Sequence, residues 1–218
     1  MKNYFTAIIF ILIVSFTNSD LKAQGDNKKE KPEEDKHKIV IAANAGQSLI
    51  GFLFEKLRTT ANQHEAGIDL SQTPALQISG DYYVDPKFSV GAAVSYQQFN
   101  INLNHWKYLD EITSQYTIVD FSTKVTRTQI GARALFHFYN KKKLDMFSGL
   151  RFGPTIWKAT TNSPDPKYEA LGSLQGGAFA VQLIVFGLRG YLTDNIGLDF
   201  ELAVGSPYYA SAGINCRF

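Results

Sequence analysis

From Ile39 onward, apolar and polar residues alternate with a period of two. In "FSVGAAVSYQQF", Phe88, Val90, Ala92, Val94 and Tyr96 fall on one side, and Ser89, Gly91, Ala93, Ser95 and Gln97 on the other. In "ALQISGDYYV", Leu76, Ile78, Tyr82 and Val84 oppose Gln77, Ser79 and Asp81. In "RTQIGARALFHFY", Ile130, Ala132, Ala134, Phe136 and Phe138 oppose Arg127, Gln129, Gly131, Arg133 and His137. "IGLDFELAVG" sets Ile196, Leu198, Phe200, Leu202 and Val204 against Gly197, Asp199, Glu201 and Ala203. "ASAGINCRF" sets Ala210, Ala212, Ile214, Cys216 and Phe218 against Ser211, Gly213, Asn215 and Arg217. Each is a strand with one apolar face and one small or polar face, because successive side chains of a strand point to opposite sides.

Which face lies inside decides the fold class. A soluble sandwich would hide its apolar faces and wet its charged ones. Here the polar faces are mostly Gly, Ser and Asn with a few Arg, Asp and Glu, while Lys28, Lys29, Lys31, Lys141, Lys142 and Lys143 sit in turns and tails. Tyr82, Phe88, Phe138, Phe152 and Phe218 read as aromatics at strand ends, the pattern of interfacial girdles. Tight turns at 85–87, 140–143 and 193–195 alternate with long stretches near 47–74, 100–124 and 158–176. Together these predict an all-β, transmembrane, antiparallel up-and-down barrel of about eight strands. The predicted spans are 38–47, 74–84, 87–99, 125–139, 145–158, 176–192, 196–205 and 208–218. The last strand then pairs with the first, which turns Phe218 toward lipid. An open sheet would leave unpaired backbone in hydrocarbon.

The N-terminal segment adds a destination. Lys2 precedes an apolar stretch from Ala7 to Phe16 that is too short for a spanning helix, and polar residues then lead to Ala23. This is the anatomy of a secretory signal peptide over 1–23, cut before Gln24. Residues 24–37 mix both charge signs without an apolar residue after the cut, and read as a disordered periplasmic tail. Export followed by a barrel over 38–218 predicts the bacterial outer membrane. A net charge of +2 gives no nucleic-acid footprint, and the single cysteine, Cys216, provides neither a disulfide nor a zinc cluster.

The signal segment, the strand rhythm, the "KFSVGAAVSYQQF" strand and the terminal Phe218 resemble the OmpA/OmpX-like family of small outer-membrane (porin-like) barrels, over residues 38–218. In that family the final aromatic strand is read by the barrel-assembly machinery. Gly213 and Phe218 match that terminal signal, and Cys216 stands where an aromatic is common. The partners implied are outer-membrane lipid and, during biogenesis, the assembly machinery.

Candidate chemistry sits in the lumen and the outer loops. A barrel of about eight strands has an interior just filled by side chains. The inward charges are Asp81, Arg133, Arg151, Arg189, Asp199, Glu201 and Arg217. They must pair, because an unpaired buried ion costs several kcal/mol. Arg133 and Arg151 fall almost opposite each other across the 140–143 turn, so their partners must come from other strands, Asp199 or Glu201. Such a network predicts a plugged lumen; the alternative is an Arg-lined path for a small solute. Residues 48–63 carry Leu49, Phe52, Leu53 and Leu57 at helical spacing and predict a short amphipathic helix in the first outer loop. It reads either as a lid packed on the barrel mouth or as an interfacial or partner-binding helix. Loops 47–74 and 100–124 are the surfaces open to a ligand or partner. For an outer-rim lipid-modifying enzyme the candidates are His64 near Ser71 and His105 near Ser114, with no local motif joining nucleophile to base. No phosphate-binding loop, paired-carboxylate motif or metal-ligand spacing appears, so no cofactor or metal is expected. The expected role is non-enzymatic: envelope structure or surface contact.

Overall fold

The computed structural model describes residues 37–64, 68–110, 115–162 and 173–218. The signal segment, and all of the tail except His37, lie outside the described residues. The described chain holds β1 (Ile39–Gln47), α1 (Leu49–His64), β2 (Ile68–Gln72), β3 (Ala75–Asp85), β4 (Phe88–Asp110), β5 (Gln115–Lys141), β6 (Leu144–Asn162), β7 (Ser173–Tyr191), β8 (Ile196–Gly205) and β9 (Ala210–Arg217). β2 and β3 pair with successive stretches of the same strand, β4, and form one broken stave. The wall therefore has eight staves, all antiparallel, and β1 pairs with β9 to close it. At the seam Val40 stands across from Arg217 and Gln47 from Ala210, and the Lys38 amide donates to the Phe218 carbonyl at 2.8 Å.

The turns at one end are short and self-capped. Asp85 Oδ1 accepts from the amides of Lys87 (2.6 Å) and Phe88 (2.9 Å). Thr193 Oγ1 accepts from the Ile196 amide at 2.9 Å. Side chains that accept from the backbone one turn on are what fix such tight reversals.

Outward positions carry the apolar residues: Ile78, Val94, Ile130, Leu198 and Ile214 are each about half exposed or more. Inward positions carry Gln77, Ser95, Gln129, Asp199 and Asn215, all buried. A water-soluble sheet does the reverse. This polarity suits a wall standing in hydrocarbon, with the paired backbone satisfied by its neighbouring strands.

Several expected boundaries move. The stretch 100–124, expected as a loop, is largely strand: β4 runs to Asp110 and β5 starts at Gln115. The stretch 158–176 is likewise shortened by β6 reaching Asn162 and β7 starting at Ser173. β4 to β7 have 23, 27, 19 and 19 residues, whereas β1, β3, β8 and β9 have 9, 11, 10 and 8. One half of the wall thus projects beyond the other. Phe152, expected at a strand end, lies near the centre of β6.

Helix α1 forms where expected, capped by Ser48, whose Oγ accepts from the Gly51 amide at 2.8 Å. It sits on the barrel mouth, but not through the apolar residues whose spacing predicted it. Leu49, Phe52, Leu53 and Leu57 are all exposed. The helix instead rests on the mouth through Gly51, whose carbonyl accepts from Gln72 Nε2 at 2.8 Å, and through Phe54, edge-on to Phe99.

Candidate functional site in the barrel lumen

Alternation brings the inward side chains of all staves into one stacked column. Arg133 and Arg151 are direct cross-strand partners on β5 and β6. Glu201 on β8 separates them: its Oε1 lies 2.7 Å from Arg133 Nη2 and its Oε2 lies 3.0 Å from Arg151 Nη2. Arg133 Nε also meets Asp81 Oδ1 at 3.0 Å. Gly91 makes this approach feasible, since a Cβ there would meet the Asp81 side chain and the Gly80 carbonyl. Deeper toward the short turns, Arg189 Nε meets Asp199 Oδ2 at 3.0 Å, and Arg189 also pairs with Asp81. Asn44 Nδ2 donates to Asp199 Oδ1 at 2.5 Å. The charged residues and Asn44 are all buried. Asp81, Arg133, Arg151, Arg189, Asp199 and Glu201 thus form one connected set. Arg217 is buried at the short-turn end, where its Nε and Nη2 donate to the carbonyls of Asp194 (2.6 Å) and Lys142 (2.8 Å) and its guanidinium lies 3.8 Å from the Tyr191 ring centroid.

Two members of the column escape the sequence reading. Tyr208 opens the expected last strand, 208–218, on its outward parity. The chain at Pro207 and Tyr208 instead turns into the lumen, and Tyr208 is fully buried. Its hydroxyl donates to Glu201 and accepts from Gln77 Nε2 at 2.9 Å, while its carbonyl accepts from Gln182 Nε2 at 2.5 Å. Asp145 is the second: its Oδ2 lies 3.7 Å from Arg189 Nη1 and accepts from the Tyr83 hydroxyl at 2.6 Å. Within this column three guanidinium groups face four carboxylates, so charges of both signs are matched almost one for one.

A further constellation lies at the same end. Ser89 Oγ is 2.8 Å from His137 Nε2, and His137 Nδ1 is 2.7 Å from Asp145 Oδ1. Hydroxyl, imidazole and carboxylate in that order are the nucleophile, base and orienting group of acyl-transfer enzymes. All three are buried here, with the imidazole between the rings of Tyr83 (4.6 Å) and Phe147 (5.6 Å). A nucleophile that no substrate atom can reach acts as a hydrogen-bonded filler. The outer-rim pairs are not assembled in the described part: the side chains of His64 and His105, and Ser114, lie outside the described residues, and Ser71 is half-buried, accepting from Asn100 Nδ2 at 3.2 Å.

Toward the long loops the column ends in an aromatic collar. Arg127 lies over the Trp157 ring at 5.6 Å, Trp157 stacks on Phe99, and Phe54 of α1 closes over Phe99. Among the described residues no group of three or more His, Cys, Asp or Glu has the arrangement of a metal site.

No protein-family model matches the chain, and no curated protein matches it in sequence. Among solved structures it is similar to Ail, the attachment invasion locus protein of Yersinia pestis, crystallised with the heparin analogue sucrose octasulfate. That likeness has 9% identity, 83% of this chain, 93% of that one and a TM-score of 0.40. It is similar to Neisserial surface protein A at 15% identity, over 83% and 97% of the two chains, with a TM-score of 0.41. For the outer membrane protein OprG of Pseudomonas aeruginosa the values are 9%, 84%, 98% and 0.39.

Proposed function

We propose that the chain is an integral protein of the bacterial outer membrane whose lumen is plugged by its own side chains. In this reading it is not an enzyme: its body serves as a structural element of the envelope, and its outer loops and helix α1 offer the contact surface. The observation that carries this is the column itself. Arg133, Arg151 and Arg189 are held by Asp81, Asp199 and Glu201 with no exposed charge in the layer, so an ion entering would have to break buried pairs. Outer-membrane lipid is then the partner of the outward residues. The seam strand with Gly213 and Phe218 is the segment offered to the assembly machinery.

Planar-bilayer recording tests the plug. The purified protein is expected to show no steady conductance in molar salt, while Glu201→Gln, which removes the carboxylate charge shared by Arg133 and Arg151, is expected to give flickering openings. A steady open channel in the unaltered protein would overturn the plugged reading.

A further inference from the structure

Arg127 stands apart from the plug. It is 3% exposed, yet no carboxylate lies within ion-pair distance of it among the described residues. Its Nη2 donates to Gln97 Oε1 (2.7 Å) and to the Pro207 carbonyl (2.5 Å), both neutral. Its Nε and Nη1 donate to nothing in the described part. A buried cation without a counter-charge is costly, because the low dielectric that strengthens pairs also penalises single ions.

The unused donors continue along the wall. Gln129 is two residues further along β5 on the same inward face; its Oε1 accepts from Ser206 Oγ at 3.3 Å, but its Nε2 is buried without a partner. Thr155, directly across from Gln129 on β6, is buried, and its hydroxyl is also without a partner. Guanidinium, amide and hydroxyl donors share the inward face of two adjacent strands, and Trp157 and Phe99 flank them on the outer side. An unused acceptor in the same row, Gln77 Oε1, is two strands from Gln129.

This stretch of wall is open at one edge. β8 stops at Gly205, across from Gln182, so β7 has no neighbour on that side above this point among the described strands. Ala178 and Gly176 share the inward parity of Gln182 and face Thr155 and Trp157 across the ladder, yet both are exposed. Arg127, Gln129 and Thr155 are buried behind this edge, so a small molecule entering from the side reaches them by displacing the side chains over them, without crossing the plug.

We propose that Arg127, Gln129 and Thr155 form a binding site for the carboxylate of a small organic acid, whose apolar part rests on the Trp157–Phe99 collar. The proposal goes beyond the plug reading, which concerns the deeper layers and stands or falls separately. An oxyanion supplies the missing counter-charge and accepts from all three unused donor groups, and the aromatic wall favours an organic acid over a bare inorganic ion.

The chain has two tryptophans, so Trp106→Phe leaves Trp157 as the sole indole reporter at the site. With that variant extracted from membranes in detergent, butyrate is expected to change the emission saturably, and the neutral isostere butyramide is not. Arg127→Gln is expected to weaken butyrate binding by at least about tenfold, as loss of a charge-assisted contact does, and Thr155→Val by severalfold. Thr155→Val removes one hydroxyl at constant shape, so it remains informative if Arg127→Gln fails to give a folded far-UV spectrum. Equal responses to butyrate and butyramide, no saturation, or tighter binding of inorganic phosphate than of butyrate would each overturn the assignment.

Discussion

Glu201 ties three side chains of the interior together: it accepts from Arg133, Arg151 and Tyr208 at once. Glu201→Gln should therefore cost about 3–5 kcal/mol, the penalty for leaving buried charges without their partner, read as a lower urea midpoint. Glu55→Gln is the control. Among the described residues Glu55 pairs only with Arg58, at 2.5 Å, both over two-fifths exposed, and surface pairs contribute about 1 kcal/mol or less. Pairing Glu201→Gln with Arg133→Gln should cost less than the two single changes added together. Ser89 gives a second residue-level outcome. A serine-directed fluorophosphonate should leave it unlabelled in the folded protein, and labelling at Ser89 but not in His137→Ala would revive the enzymatic reading. Parity along the strands was enough to turn Arg133, Arg151, Asp199 and Glu201 inward. It missed Tyr208 because the period breaks where the chain turns into the lumen at Pro207 and Tyr208. It missed Asp145 because its inward neighbour on β6 is Phe147, so "LDMF" shows no clean contrast between faces.

At the scale of one strand, the two faces of β4 predict opposite behaviour. Val94, between Ile78 and Ile130 on the outer face, is 49% exposed, and Ser95 beside it is 5% exposed. Val94→Arg should cost about 2–4 kcal/mol in bilayers and little in water-rich detergent assays, because its penalty is charge in hydrocarbon. Ser95→Arg should fail in both, since it adds volume to a filled lumen. Single-cysteine labelling that found lipid access at Ser95 and not at Val94 would reverse the register. The same contrast explains why the outer ends of β4 and β5 were illegible. Between Asn100 and Lys124 the strands continue to pair, but without a lipid side to set against a lumen side their residues lose the alternation. Backbone pairing persists there without a side-chain signature. α1 was found from its apolar spacing, but spacing alone does not say which face meets the barrel; a glycine at 51 and an aromatic at 54 decided that.

For the molecule as a whole, the outward apolar belt makes location the decisive measurement. The protein should remain with the outer-membrane fraction through carbonate washing, and its recovery as a soluble periplasmic species would leave that belt without a partner. The seam has a further consequence, one of time. Seven of the eight wall pairings join staves that follow one another along the chain, and only β1 with β9 joins the two ends. Neighbouring staves can zip as soon as they meet, whereas the seam must wait for the entire wall and carries the largest loop-closure entropy. Until it forms, β1 and β9 are two raw edges able to pair with another chain. Gly213 sits at that late step: a Cβ there would meet the Ala43 carbonyl and the Asn44 side chain across the seam. Enlarging it would therefore prolong the open-edged stage, so its cost would appear as misassembled protein as well as in the stability of the finished barrel.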